Sequence, residues 1–274
     1  MTISTATADW LTLRAGADDA ARSPDLAALL SRAIAGRPVV VHDLGAGTGA
    51  MTRWLAPRLP GPQRWILHDG DAGILSQVEA ARATDRSGGA VVVDTNVADL
   101  ADLPVDAFCG AAAVTASALL DVITREEALR IVSACVRART PALFSLTVTG
   151  RVRLDPGDAG DIAAAGAIGA AFNDHQRRTV HARRLLGPDA VPFLAGAFAA
   201  AGWPVRTVPT PWRLDDQHTE LIGEWLDGWL RAAVAQRADL GGLAARHGER
   251  WHALAAAGRL RVTVGHEDLL ACPG

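Results

Sequence analysis

The feature that most constrains this chain is the passage from Val39 to Gly49. A continuous apolar run, Val39-Val40-Val41, leads through His42-Asp43-Leu44 into Gly45-Ala46-Gly47-Thr48-Gly49 and then into a helix from Ala50 to about Leu59. A run with no polar alternation is expected of a central strand covered on both faces. Glycines at every second position predict a strand–turn–helix unit: Gly45 for the tight turn, Gly47 for close approach of a ligand to the backbone, Gly49 for helix–strand packing. The helix N-terminus beyond them presents free amides. The spacing is G-x-G-x-G, not the G-x-G-x-x-G of dinucleotide binders. Asp43 stands two residues before the first glycine, where a carboxylate repels a pyrophosphate and suits a cationic ligand group.

Short β-rich runs then alternate with helices, the pattern of a parallel sheet with crossover connections. Ser23-Pro24-Asp25 opens a helix to Ile34. Further strands are expected at Trp65–Leu67, Ala90–Val93, Ala111–Thr115, Ala142–Thr149, Val205–Val208 and Leu260–Val264. Helices are expected at Ala72–Ala83, from the capping box Thr124–Glu127 to about Arg137, at Pro188–Ala201 before Gly202, and in a further stretch to about Ala257. Leu221/Ile222, Trp225/Leu226, Trp229/Leu230 and Val234 form one apolar helical stripe, read as core. Residues 151–184, rich in Gly, Asp and Arg, read as an insertion. The expectation is a Rossmann-like doubly wound, mostly parallel seven-stranded α/β sheet with helical insertions. It forms a single domain: a helical cap over 1–36, a cofactor-binding core over 37–150, an insertion over 151–187, and the rest of the sheet over 188–274 with a helical insertion at about 209–258.

The acid followed by G-x-G-x-G after a first strand resembles the class I S-adenosylmethionine-dependent methyltransferases of small-molecule type. The resemblance runs from about Val39 to Thr149 with the motifs in order. It implies that Asp43 faces the cofactor's amino group, with Gly45, Ala46, Gly47 and Gly49 beneath its methionine and ribose parts. Ile66-Leu67-His68-Asp69-Gly70-Asp71 supplies the acid for the ribose hydroxyls, about 20 residues past the glycines. Asp69 takes that role beside Gly70; Asp71 is the competitor and a candidate helix cap. Val97-Ala98-Asp99-Leu100 supplies the acid and amide for the adenine, with Asp94 as the competitor. Thr115 and Ser117, in the run to Asp121, fall where the turn after strand four lines the methionine end. Arg14, in a segment with Trp10 and Arg22, is the candidate for the cofactor's carboxylate.

The reaction so implied is in-line methyl transfer, which gains most from alignment and needs a base only where the nucleophile must lose a proton. In Phe172-Asn173-Asp174-His175-Gln176-Arg177-Arg178, His175 is the candidate general base, and Asn173 and Arg177 the candidates to orient an acidic group. Trp212 and Arg213 are candidates for a substrate wall, and His266 reads as structural. Composition narrows the chemistry. The chain has no lysine and no tyrosine, and all 27 basic residues are arginine. Schiff-base chemistry, a P-loop and a phenolic base are thereby excluded. A net charge of −3 gives no footprint for nucleic acid or anionic membrane. No His/Cys/Asp cluster has metal spacing; His247 and His252 are five apart and share no helix face. Cys109, Cys135 and Cys272 have no C-x-x-C pairing and suit free thiols. Met1–Leu11 lacks the pattern of a signal peptide, and the apolar stretch 107–120 is shorter than the roughly 20 residues a bilayer needs. The expectation is a cytoplasmic enzyme of unknown oligomeric state, using S-adenosylmethionine on a small metabolite, with the arginine-rich insertions favouring an acidic one. The alternatives are a non-catalytic module binding S-adenosylmethionine or S-adenosylhomocysteine, and a nicotinamide-dependent oxidoreductase.

Overall fold

The structure, a computed structural model, describes residues 7–78 and 83–274. Two helices, α1 (Ala8–Ala21) and α2 (Pro24–Ala33), precede β1 (Val39–Leu44). Then come α3 (Ala50–Leu55), β2 (Gln63–Asp69), α4 (Ala72–Leu75), β3 (Val92–Val97), β4 (Ala113–Ser117), α5 (Arg125–Ala138) and β5 (Ala142–Asp155). The chain continues through α6 (Ala159–Gln176), a hairpin of β6 (Thr179–Val180) and β7 (Arg183–Arg184), α7 (Ala190–Ala200), β8 (Val205–Pro209) and β9 (Trp212–Leu214). It ends with α8 (Thr219–Gln236), α9 (Gly241–Ala256) and β10 (Arg261–Ala271).

One eight-stranded sheet runs in the order β3-β2-β1-β4-β5-β10-β8, with β9 beside β10. Strands β1 to β5 pair in parallel, and β10 is antiparallel to β5, β8 and β9. This is the expected Rossmann-like doubly wound sheet, with one strand more: β8 covers the expected strand at Val205–Val208, and β9, past Thr210-Pro211, was not anticipated. The order reverses between β1 and β4, and the crevice at such a switch point is where open α/β sheets bind ligands.

Both faces of the sheet are covered. Leu26, Leu30 and Ile34 of α2 and Met51, Trp54 and Leu55 of α3 pack on Val41, Trp65 and Leu67. On the other face Ile131 and Val132 of α5 and Leu194 and Phe198 of α7 pack on Val114, Ala116 and Phe144. Local capping agrees with the sequence: Ser23 caps α2 and Thr124 with Glu127 closes the box at α5. A third core joins α6, α8 and α9 to β9 and the far ends of β5 and β10, with Trp229 and Trp251 fully buried. Fully burying each large side chain contributes roughly 2–3 kcal/mol, so this helical layer is built into the domain.

Several boundaries differ from expectation for physical reasons. Residues 151–184 are not irregular: β5 continues to Asp155 and α6 follows. The helix is rich in Ala and Gly on every face and so carries no apolar stripe to read; the Trp229 ring packs beside Gly169. Polar residues hide the length of β10, because Thr263, His266, Glu267 and Asp268 interrupt it while its ladder to β5 continues. His266 therefore lies inside this strand, not beyond it. Strand β3 sits later than Ala90–Val93, since an edge strand tolerates Asp94, Thr95 and Asn96. The helix after β1 becomes a 3-10 turn at Ala56–Arg58, where Pro57 lacks an N–H. The helix expected over Ala72–Ala83 is regular only to Leu75, and residues 79–82 of it lie outside the described residues. Among the described residues no helix is long and apolar enough to cross a membrane. The three cysteines are unpaired.

Candidate functional site

The carboxyl ends of β1, β2 and β4 open into a cavity of about 650 Å³. The turn after β1 forms its floor. Gly45, Gly47 and Gly49 have φ of 58°, 56° and 79°, a region L side chains rarely adopt. A Cβ on Gly45 would also lie 2.7 Å from Leu119 Cδ1. Gly49 is the N-cap of α3, and its left-handed φ calls for glycine.

Asp43 ends β1 with no exposed surface, and lines the cavity. Thr115 Oγ1, from β4 alongside, donates to its Oδ1 at 2.7 Å. Its Oδ2 is buried with no partner. Burial pushes the Asp43 carboxyl up to about 6, against the pull of the Thr115 hydroxyl and the Arg22 charge. Arg22, at the end of α1, is itself almost fully buried; its guanidinium binds Asp19 and donates to Ser117 Oγ at 3.1 Å, leaving Nε unpaired.

Asp69 ends β2 and accepts from the Gly47 amide at 2.9 Å, so the second strand end pins the glycine turn. Asp71 caps α4 through the amides of Gly73 and Ile74, whereas Asp69 and Gly70 line the cavity. Asp99 caps a short 3-10 turn and lines the cavity with Leu100. Its competitor Asp94 is paired with Arg64 on the outer surface. Ser117 lines the cavity, and Thr115 stands behind Asp43. Arg14 and Trp212 close the cavity together: Arg14 binds Asp18 at 2.9 and 3.1 Å and stacks 4.9 Å from the Trp212 ring, whose Nε1 donates to Asp18.

Other expected site residues do not converge there. His175 is on the last turn of α6 but is absent from the cavity wall, to which that helix gives Phe172 and Gln176. Asn173 Nδ2 donates to the Gly150 carbonyl, and Arg177 binds Asp189 at the surface. Arg213 is exposed on β9, whose alternation turns Trp212 inward and Arg213 out.

The wall also contains residues that no local pattern singles out. Strand β5 bulges against β10 at two places, and Leu146 (φ 58°) and Gly150 (φ 73°) take left-handed conformations there. These bulges bring Leu146, Val148 and Gly150 to the cavity. The strained Leu146 is held by buried Asp268, which accepts from the Leu146 amide and Thr210 Oγ1 at 2.8 Å and from the Ser23 amide at 2.9 Å. His266 lines the cavity against Trp212; burial and then Arg14 push it down to about 4, so it is neutral. His68, before Asp69, stacks on His42, before Asp43, with Nε2 2.9 Å from His42 Nδ1. The Asn96 amide donates to His68 Nδ1, which assigns the His68 proton to Nε2. The repeated His-Asp at two strand ends was the one sequence signal for this pair. Among the described residues no group of His, Cys, Asp or Glu is arranged to hold a metal ion.

No family model and no curated protein matches the chain. Among solved structures, it is similar to a cyclopropane-fatty-acyl-phospholipid synthase-like protein from Lactobacillus casei ATCC 334, at 14% identity and a TM-score of 0.49 over 97% of this chain and 94% of that one. It is also similar to mycolic acid cyclopropane synthase CmaA1 complexed with SAH and CTAB, at 14% identity and TM-score 0.47 over 90% and 82%. A putative sarcosine dimethylglycine methyltransferase from Galdieria sulphuraria is similar at 13% identity and TM-score 0.44 over 90% and 84%.

Proposed function

We propose that this chain is an S-adenosylmethionine-dependent methyltransferase acting on a small molecule. The observation that carries the reading is Asp43: a fully buried carboxylate with one oxygen unpartnered, on the wall of a cavity floored by a glycine turn. An unpaired buried charge is costly, and a ligand ammonium would complete it. Asp43 Oδ2 would take the donor's amino group while Thr115 holds the other oxygen. Arg14 and Arg22, each already bound to an acid, would offer its carboxylate only the N–H groups that Asp18 and Asp19 leave over. Asp69 would take the ribose hydroxyls, and Asp99 with the Leu100 amide the adenine. Gly45, Ala46, Gly47, Gly70 and Ser117 would form the bed beneath.

When bound, the sulfonium donor supplies an electrophilic methyl group. The protein's part is then to align the acceptor with it and to keep water out, which Trp10, Trp212 and the apolar wall of β5 are placed to do. His175, Asn173, Arg177 and Arg213 keep no role in this reading, because they stand outside the cavity. The test is calorimetric titration with S-adenosylhomocysteine and NAD. The reading expects saturable binding of the first alone, and no heat with S-adenosylhomocysteine would sink it. Transfer of a labelled methyl group into a metabolite extract would then separate an enzyme from a non-catalytic binding module.

A further inference from the structure

We infer that the acceptor is an amine carried on an apolar or aromatic body, held with its nitrogen between Asp121 and Gln176. The inference rests on the methyltransferase reading above and names the substrate class for the same cavity.

Beyond the donor half, the cavity runs between β5, β10 and the helical layer, walled by Val148, Val152, Phe172, Trp212, Trp225 and Val264. That wall suits an apolar body, and its indole faces attract cations. The charges in it are mostly spent on one another. Arg14 is bound to Asp18, Arg22 to Asp19 and Ser117, and Arg183 to both oxygens of Glu127. Arg151 stands exposed at the rim, and neutral His266 offers an acid no charge.

Outside the donor half, Asp121, just beyond β4, is an acid of the cavity wall that is not spent in this way. It is half-buried and open to the cavity, burial raises its carboxyl above the usual range, and it makes no ion pair. Arg14 acts on it only at a distance. Its side-chain neighbour is Gln176 Nε2 at a marginal 3.5 Å. The other end of that amide, Gln176 Oε1, is buried with no partner. Asp121 thus opens to the cavity, and the Gln176 side chain beside it carries an oxygen that no protein group satisfies. An ammonium brings three donors and a positive charge to them, an alcohol brings one donor, and a carboxylate brings only repulsion. The acidic acceptor expected from the arginine-rich sequence finds no free guanidinium inside.

The ammonium form binds but has no lone pair to react. Asp121 takes its proton. The free nitrogen forms its bond to the methyl carbon as the carbon–sulfur bond of the donor breaks, with that electron pair staying on sulfur. The proton then passes from Asp121 to solvent.

Trp10, Trp212 and Trp225 line the cavity, so their fluorescence reports occupancy directly. The protein, with and without S-adenosylhomocysteine, is titrated with 2-phenylethylamine, 2-phenylethanol and 3-phenylpropionate. The amine is expected to bind about tenfold tighter than the other two, in line with a charge-assisted hydrogen bond. In Asp121→Asn the amine should fall to the level of the alcohol while S-adenosylhomocysteine binds as before, which shows the fold intact. Gln176→Leu should weaken the amine more than the alcohol. Tighter binding of the carboxylate, equal binding of all three, or an amine preference that survives Asp121→Asn overturns the inference. Failure of S-adenosylhomocysteine to bind the unaltered protein would instead overturn the methyltransferase reading, and the amine preference would still be legible without it.

Discussion

Replacing Asp43 with asparagine should stabilise the protein and cripple ligand binding at once. The carboxyl sits at about 6 in the fold, against 3.8 unperturbed. Burial favours the protonated form, so folding loses stability as pH rises from about 4 to about 6, and the loss persists above. Two pH units at 1.36 kcal/mol each make that loss about 3 kcal/mol at pH 7.5. Asparagine removes the charge but keeps the shape, and Thr115 can still donate to its Oδ1. The new amide N–H in the place of Oδ2 lacks a partner and returns about 1–2 kcal/mol of the gain. The net is about 1–2 kcal/mol, which for a chain of this size raises Tm by roughly 2–6 °C. At pH 4 the advantage should vanish, since Asp43 is then protonated in the native state too. Affinity for S-adenosylhomocysteine should fall roughly 10–100-fold, the worth of a buried charge-assisted hydrogen bond. Differential scanning fluorimetry at pH 4 and 7.5, with calorimetry at 7.5, reads all three numbers. A variant less stable at pH 7.5, or one that binds as tightly as the unaltered protein, refutes the argument that this carboxylate is stored unpaired for a ligand.

Two further predictions concern stability. Asp268→Asn puts an amide N–H against donors at a buried carboxylate that accepts from Ser23, Leu146 and Thr210, and should cost about 2–4 kcal/mol by urea denaturation; an unchanged midpoint would show that Leu146 is held by something else. His266 is driven down to about 4 by burial, so the stability it adds is complete above about 6.5 and is lost as pH falls toward 4. Comparing urea midpoints at pH 7 and 4.5, His266→Leu should lose about 2–3 kcal/mol less than the unaltered protein, and equal losses would refute the assignment.

Much of the glycine-turn end of the cavity, the proposed donor half, was legible because its structure is local. Strand, glycine turn and helix are consecutive, so Asp43, Gly45 and Gly47 announce themselves within a few residues. Parallel strands leave their carboxyl ends on one edge, so Asp69 and Asp99 could be found by position once the strands were counted. The choice between Asp69 and Asp71 turned on which side chain is spent as a helix cap, and between Asp99 and Asp94 on which side of a strand end faces the crevice. Neither is written in composition or spacing.

The proposed acceptor half shows the other case. Asp121, Gln176, Trp225 and His266 lie on four separate elements, and each looks like an ordinary loop, helix or strand residue where it stands. His175 and Gln176 are neighbours in the chain, yet one lines the cavity and the other does not, because successive residues of a helix turn by about 100°. The alternating α/β pattern, the glycine turn and the acids near the strand ends are written in the chain itself, since backbone conformation and capping depend on near neighbours. Only the closed sheet settles which arginines are neutralised, where β5 bulges, and which acids of the cavity are left without an ion pair. Those outcomes depend on pairing between residues tens to hundreds of positions apart, and that pairing exists only once the sheet has closed.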